Sequence, residues 1–459
     1  MNSISALRLL IVLSILSPVL RAESPKPQVT QIGGRLELFV DRHLVDKLTK
    51  ASYRLHSPQR MPKPKRSLPV IYTTVIKDGN IYRGYYRSER LGYKGKRYDG
   101  NPGEITCYAE SRDGHEWSFP SLDVTKVKGP EGSNVIITGQ NTCSHNFAPF
   151  LDRRPSAAKS QRFKALGGVK RGGGLFAWAS ADGIHWRKLQ EKPVITSSPF
   201  AFDSQNVSFW STVENRYVCF YRSWQTPHGS LRSISRTTSK DFIHWTPAVA
   251  TNPNRRGEHL YTSQTHPYFR APHIFIATPT RFMPHRGSST DILFMSMRAN
   301  SRRYARLFSE SFIRPGLDPA RWGNRSNYVA RCVVPTGPAE MSIYHRDGYR
   351  YALRTDGFIS VHTGVDQGEL ITKPVVFAGS QLVLNVSSSA AGSMQVELLN
   401  KDGSAIKGFR LQDCLPIIGD SIRRFVKWKA SNLAKLVGKP VRLRFVSTEC
   451  DLYSYQFNR

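Results

Sequence analysis

Three carboxylates stand at comparable places in this chain and could do acid–base work together. Asp203 lies in "FDSQN", with Gln205 and Asn206 beside it, just ahead of an apolar run. Glu258 lies in "RGEHLYTSQTHPY" and is followed by Tyr261, Gln264 and His266. Glu340 lies in "VPTGPAEMSIY", after a Pro/Gly loop. Carboxyls whose surroundings push their pKa values apart can serve one as general acid and the other as base. Each has a plainer reading: an Asx turn for Asp203, solvated loop glutamates for the other two. Recurrence at matching places in consecutive units is the stronger signal.

A second set of polar groups could hold a ligand. Glu104 precedes "ITCYAES", and His145 and Asn146 open "HNFAPFLD", which ends at Asp152. Asp291 stands further on. Arg222 and Arg270 follow the acid-bearing strings, and a planar guanidinium suits a carboxylate or sulfate. Trp210, Trp224, Tyr261 and Tyr268 could stack on a flat ligand, although each also reads as core. His145 has no other ligand type close in sequence, so neither a metal nor a cofactor is expected.

What must position these groups is a repeated unit. The strings "ESRDGHEW", "SADGIHW" and "SKDFIHW" end at Trp117, Trp186 and Trp245, about 60 to 70 residues apart. Asp-Gly between alternating apolar runs predicts a type I′ hairpin, with positive φ at both central residues. The hairpin aspartates Asp113, Asp182 and Asp241 are therefore scaffold. A unit of this length suits a four-stranded propeller blade. Tyr304 stands where a fourth tryptophan would fall. "RLELFVD" is expected to supply the missing strand of the last unit. From about residue 370 the rhythm changes to short alternating strands, which predicts a small β-sandwich. The predicted fold is all-β: a five-bladed β-propeller over 35–365 and a C-terminal β-sandwich over 370–459.

Residues 1–22 combine Arg8, a short apolar run and small residues near Ala22, the pattern of a secretory signal peptide. A secreted or periplasmic location follows. No later stretch is apolar enough to cross a bilayer as a helix. Export permits disulfides, and Cys414 with Cys450 is the favoured pairing among six cysteines. Cys107 and Cys219 read as core.

Charge is the loudest compositional fact, with 66 Lys+Arg against 34 Asp+Glu and a net +32. Such a field favours acidic partners. The basic residues are spread along the whole chain, and no helix-turn-helix, RRM, KH or finger pattern is present, so nucleic acid is not the expected partner. An acidic or sulfated polysaccharide fits an exported basic protein better.

The architecture resembles the five-bladed β-propeller glycosidases of glycoside hydrolase families 32, 43, 62, 68 and 117. It is similar above all to secreted bacterial proteins termed family 32-like, through "LFVDRHLVD", "NFAPFLD", "FDSQNVSFW", "SFIRPGLD" and "RTDGF". The early W-x-N-D-P-N-G motif of family 32 is absent. The resemblance implies a secreted glycoside hydrolase acting on a polysaccharide, with its acids where the innermost strands meet the central channel. Asp203, Glu258 and Glu340 would be catalytic. Glu104, His145, Asn146, Asp152, Gln205, Asn206, Arg222, Tyr261, His266 and Arg270 would contact the carbohydrate. Two other readings stand beside it. One is a non-catalytic glycan-binding propeller. The other is a sialidase-like enzyme, which would need an arginine triad and a tyrosine nucleophile.

Overall fold

A computed structural model describes residues 29–196, 201–429 and 432–458. The predicted signal peptide lies outside them. Among the described residues the only α-helix is the single turn Asn141–Ser144, and the rest is strand, 3-10 turn and loop. No helix there is long and apolar enough to cross a membrane.

The strands form small antiparallel sheets in chain order. The first holds Thr74–Asp78, Ile81–Glu89, Glu104–Ser111 and Val135–Ile137. The second holds Ala148–Leu151, Phe163–Val169, Gly174–Ser180 and Arg187–Lys188. The third holds Val207–Ser211, Arg216–Thr226, Gly229–Ser239 and Val249–Ala250. The next stretch divides between two three-stranded sheets. One is His266–Tyr268, Ala271–Ala277 and Met295–Arg298, and the other is His259–Leu260, Thr280–Met283 and Ser289–Ile292. The last sheet is Val334–Pro335, Glu340–Tyr344, Arg350–Arg354 and, from the N-terminal part of the chain, Gln59–Arg60.

These sheets pack face to face about an axis, which explains their composition. Phe163–Val169 and Gly174–Ser180 are buried at every position. A strand covered on both faces reads as a continuous apolar run rather than an alternation. The first strand of each sheet lines the axis. Ala148–Leu151 lies against both Thr74–Asp78 and Val207–Ser211, and Val207–Ser211 lies against His266–Tyr268. Val334–Pro335 lies against Thr74–Asp78, and the Val333 amide donates to His266 Nε2 at 3.0 Å. The inner strands thus form a closed ring, the arrangement of a β-propeller.

The repeated tryptophan phrases latch each sheet to its predecessor. Only one residue per turn has positive φ: Gly114 at 76°, Gly183 at 79° and Phe242 at 74°. The predicted type I′ hairpin is therefore replaced by a turn capped by side chains. Ser180 Oγ accepts the Gly183 amide at 2.9 Å, and Asp182 Oδ1 accepts the amides of Ile184 and His185 at 2.8 and 2.9 Å. A Cβ on Gly183 would sit 2.5 Å from the Tyr85 hydroxyl of the preceding sheet. Trp186 packs edge-on to Phe147 at 4.9 Å and to Tyr85 at 6.2 Å. The first phrase docks on the last sheet, where Tyr344 donates its hydroxyl to the Gly114 carbonyl at 2.7 Å.

"RLELFVD" does not close the ring. Glu37–Leu38 pairs instead with Tyr455 and Ser454 at the C-terminal end of the chain. From that place the charge of Glu37 reaches across to the propeller. Glu37 is fully buried, with Arg35, Arg298 and His273 beside it. Burial raises its pKa, but His273 and these arginines outweigh that and bring it down to about 2. The C-terminal sheet has ten strands, and it takes Thr30–Gly33, Val45–Thr49, Ala51–Leu55 and Ile359–Thr363 as well as later strands. Its two long strands, Gln381–Asn400 and Pro440–Asn458, pair along their length, with an irregularity between Ser388 and Ser393. Both flank one apolar cluster that includes Leu384, Val396, Leu398, Leu443 and Phe445. Cys414 and Cys450 are buried in that cluster as free thiols, so the expected disulfide is not formed. Packing, rather than a covalent bridge, holds them.

Asp152 joins the second sheet to the third. It takes the ammonium of Lys164 at 2.5 Å and the hydroxyl of Tyr217 at 2.7 Å, with both charged side chains almost fully buried. Removing one member of such a pair strands the other, at a cost of about 3–5 kcal/mol. Lys164→Met should therefore destabilise the protein by about that amount in denaturant unfolding, and Asp152→Asn in the same chain should recover most of it. A Lys164→Met protein as stable as the parent would show that this ion pair does not hold the sheets together.

Candidate active site

The heads of the inner strands build one mouth of the axis. Tyr72, Asn146, Gln264 and Cys332 each stand two residues ahead of an inner strand, and each has positive φ, between 51° and 79°. Phe202, ahead of Val207–Ser211, has φ 72°. Non-glycine residues adopt this conformation at a steric cost, and surrounding structure must hold them there. Here it turns each connecting loop inward.

Beneath the mouth lies a floor of buried amides. Gln205 Nε2 donates to Thr74 Oγ1 at 2.9 Å, and Gln264 Nε2 donates to Gln205 Oε1 and the Val329 carbonyl, both at 2.8 Å. Asn206 Nδ2 donates to the carbonyls of Phe202 and Ser204 at 3.0 Å. His266 donates from Nδ1 to the Gln264 carbonyl and accepts the Val333 amide at Nε2. Burial lowers its pKa to about 4, so it is a neutral structural group at ordinary pH. Gln205 and His266, expected to touch substrate, instead knit neighbouring sheets together, and Asn206, expected to do the same, braces its own loop.

Above that floor sits an acid pair. Asp99, His145 and Asp203 bring two carboxylate oxygens and an imidazole nitrogen within 4.8 Å of one another. His145 is fully buried, and its Nδ1 lies 2.9 Å from Glu104, whose carboxylate can only accept. Nδ1 therefore carries the proton. Nε2 faces Arg87 at 3.4 Å and Asp99 at 4.0 Å. Arg87 also donates to Asn146 Oδ1 at 2.8 Å. Arg222 reaches Asp203 at 3.2 Å. The three clustered groups could hold a cation. Guanidinium groups already face both His145 and Asp203, however, which suits an ion-paired proton site better.

The two carboxyls are pushed in opposite directions. Burial raises the pKa of Asp99, and its hydrogen bond to Asp203 and the charge of Asp203 raise it further. Burial also raises the pKa of Asp203, but Arg222, the bond from Asp99 and His145 outweigh it and leave Asp203 below the usual carboxylate value. One member is thus held as an acid and the other as an anion. Because the pair shares a proton, its two titrations belong to both residues.

Aromatic groups complete the mouth. Tyr72 and Tyr328 have ring centres 5.5 Å apart, and Tyr328 and Tyr261 6.0 Å apart. The Arg87 guanidinium lies 4.5 Å from the Tyr72 ring, and that of Arg232 lies 4.5 Å from Trp224 and 4.6 Å from Tyr261.

The structure thus brings together Asp203, Glu104, His145, Asn146, Arg222 and Tyr261 from the sequence reading. It places others elsewhere. Glu258 is buried against Arg306 at 2.9 Å. Glu340 is paired with Arg350 and Thr336, beside the turn that carries His115. Asp152 lies in the interior with Lys164. Arg270 binds Asp356 at 2.6 Å, and Asp356 also accepts Ser454 of the C-terminal sheet. Asp99, Arg87, Tyr72, Tyr328, Arg232 and Arg325 were not anticipated. The available signal for Asp99 was the long hairpin loop 90–103, which carries Tyr93, Tyr98 and "DGNPG".

No protein-family model matches this sequence, and no curated protein matches it. Solved structures of similar shape include a glycoside hydrolase family 43 arabinoxylan arabinofuranohydrolase from Bacillus subtilis. It is 13% identical, with 86% of this chain and 96% of that one covered and a TM-score of 0.40. A thermostable family-43 glycoside hydrolase is 11% identical over 66% of this chain and 92% of that one, with a TM-score of 0.44. A β-1,2-mannobiose phosphorylase from Listeria innocua is 10% identical over 67% of this chain and 97% of that one, with a TM-score of 0.46. Likeness at this level does not assign a family or an activity.

The acid pair can be tested without a substrate. Arg222→Met should raise the pKa of Asp203, because it removes the cation that most favours the ionised form. Carbon-13 NMR titration of the aspartate carboxyls, with Asp203→Asn to assign the signal, should show the midpoint moving to higher pH. An unmoved midpoint would mean that Arg222 does not hold the charge of Asp203.

Proposed function

We propose that the protein is a glycoside hydrolase that cleaves a polysaccharide at this mouth, outside the cytoplasm. One observation carries the reading: two aspartates, Asp99 and Asp203, meet at the channel with pKa values displaced in opposite directions. Glycosidic cleavage needs that division of labour, one carboxyl to protonate the leaving oxygen and one to attack or to activate water. The opening segment 1–22 supports export, and the basic charge supports an acidic chain as substrate.

In this reading Asp99 is the acid and Asp203 the anion. Their ligand atoms lie within 4.8 Å of one another, too close for the roughly 6.5–9.5 Å gap in which inverting enzymes hold a water, so the retaining route is the one proposed. Asp203 would attack the anomeric carbon while Asp99 passes its proton to the departing glycosidic oxygen. Asp99, now ionised, would take a proton from water as that water displaces Asp203. Arg222 keeps Asp203 charged, and Glu104 with His145 fixes the wall beside Asp99. Glu258 and Glu340 have no role in this scheme, since each is paired with an arginine away from the acid pair.

The experiment is reducing-sugar release from a panel of neutral, uronate-bearing and sulfated polysaccharides. Asp99→Asn and Asp203→Asn should each lower the rate by on the order of 10²–10⁴-fold while the folded protein still binds glycan. Salt-sensitive glycan binding without release by the parent protein would instead identify a non-catalytic glycan-binding propeller. Loss of activity on Glu258→Gln, with Asp99→Asn still active, would overturn the assignment.

A further inference from the structure

We infer that the sugar unit seated beside Asp203 carries an oxyanion substituent, a uronate carboxylate or a sulfate ester, which Arg232 and Arg325 receive. This rests on the reading of the mouth as a sugar site and adds what that sugar must look like.

The inference comes from an accounting of cations. Four arginines surround the acid pair and the tyrosines: Arg87, Arg222, Arg232 and Arg325. Arg87 is satisfied by Asn146 and His145, with Glu104 at 4.0 Å, and Arg222 by Asp203. The other two have no carboxylate partner among the described residues. Arg232 is half-buried between the rings of Trp224 and Tyr261, with Phe282 at 5.8 Å. Its Nη1 meets His259 Nδ1 at 3.4 Å, and its Nε is buried without an acceptor. Arg325 has φ 62° and is exposed, and it forms no ion pair among the described residues.

Both groups belong to the same mouth. Arg232 stacks on Tyr261, whose ring lies 6.0 Å from that of Tyr328, and Arg325 stands three residues before Tyr328; the charges of both act on Tyr261, Tyr328 and Asp203. Holding a guanidinium against apolar rings without a counter-charge is costly, and an incoming anion offsets that cost. The ring contacts also fix the plane of Arg232, so its remaining N–H groups are pre-organised as a fork for two oxygens. Asp203 acts on both arginines from a distance, while its ion pair among the described residues, at 3.2 Å, is with Arg222. An anion on the substrate would complete the set, and the net +32 charge would steer such a chain toward the protein. A neutral sugar would leave both arginines unanswered.

The test uses the full parent chain and defined probes, galactose, galacturonate and galactose 6-sulfate, measured by calorimetry; these single sugars hold no glycosidic bond to cleave. Galacturonate or the sulfate should bind at least tenfold more tightly than galactose, and which of the two binds identifies the oxyanion. Arg325→Ala, an exposed loop change that leaves the packing intact, should remove about tenfold of that preference. Arg232→Lys, which keeps the charge but loses the fork, should do the same. Equal binding of all three sugars, or a preference that both variants retain, would overturn the inference. Release from neutral glycans alone, unaffected by either variant, would also overturn it while leaving the hydrolase reading intact. Arginine-dependent binding of an acidic sugar without cleavage of any glycan by the parent protein would do the reverse.

Discussion

The structure depends on a buried guanidinium at its axis. Arg331 is 2% exposed and has no carboxylate partner among the described residues. Its side chain donates to the Pro149 carbonyl at 2.8 Å and the Ser208 carbonyl at 2.7 Å, each next to or within the inner strand of a different sheet. Its own backbone donates to Thr73 and accepts from Val75 in a third. Burial lowers the pKa of this group, because the charged form has lost its water. Charge-assisted bonds to carbonyls offset that loss, and they do so only when all the sheets are in place. The cation is therefore stable only in the closed ring. A closed ring in turn points the heads of the inner strands at one mouth, where Tyr72, Asn146, Asp203 and Gln264 converge.

The same economy of charge recurs where the N-terminal segment crosses the propeller. Arg298 is clamped by Glu37 and Asp41, and Ser296 donates its hydroxyl to the Val40 carbonyl at 2.8 Å. Asp356 gathers Tyr268 and Arg270 from the propeller and Ser454 from the C-terminal sheet. Acids are scarce in this chain, and the buried ones are committed to such junctions. That scarcity gives meaning to the exceptions. An aspartate half exposed at the channel, hydrogen-bonded to a second aspartate, is not a structural counter-ion, because neither carboxyl neutralises the other.

How much of this the amino-acid order revealed follows from distance along the chain. Asp203 and the His145–Asn146 pair were legible because a polar cluster directly precedes an apolar run, and a propeller sends every such cluster to its axis. Glu258 and Glu340 fit the same pattern but carry no free charge, since their arginines lie 48 and 10 residues further on. Arg87 and Asp99 were not legible, for they reach the mouth from the second strand of the first sheet and from a hairpin loop. The recurrence of Asp-x-x-x-Trp was plain, but its turn is built on Ser111, Ser180 and Ser239, two residues before each aspartate. The strand completing the last sheet is two residues long, Gln59–Arg60, too short to leave a periodic signature. The clean alternation of "RLELFVD" served a different sheet, whose partner strand at Tyr455 and Ser454 lies at the far end of the chain and leaves no local sign.

The shared proton bears on how such a site would act. In the resting mouth burial first, then the hydrogen bond to Asp203 and the charge of Asp203, hold the pKa of Asp99 above its ordinary range. A proton held that firmly is a poor donor. A sugar unit that enters between the two carboxyls would break their bond and take the place of Asp203 next to Asp99. One of the influences raising the pKa of Asp99 would then be removed, and it would become a stronger acid as the glycosidic oxygen arrives. Asp203 would lose the bond from Asp99 but keep Arg222, so its negative charge would be retained for attack. An oxyanion on the same sugar, drawn to Arg232 and Arg325, would seat the unit from the far side and supply binding energy for parting the pair. Catalytic power and substrate choice would then depend on one arrangement of charge, in which the acid is released only by a ligand able to answer both arginines.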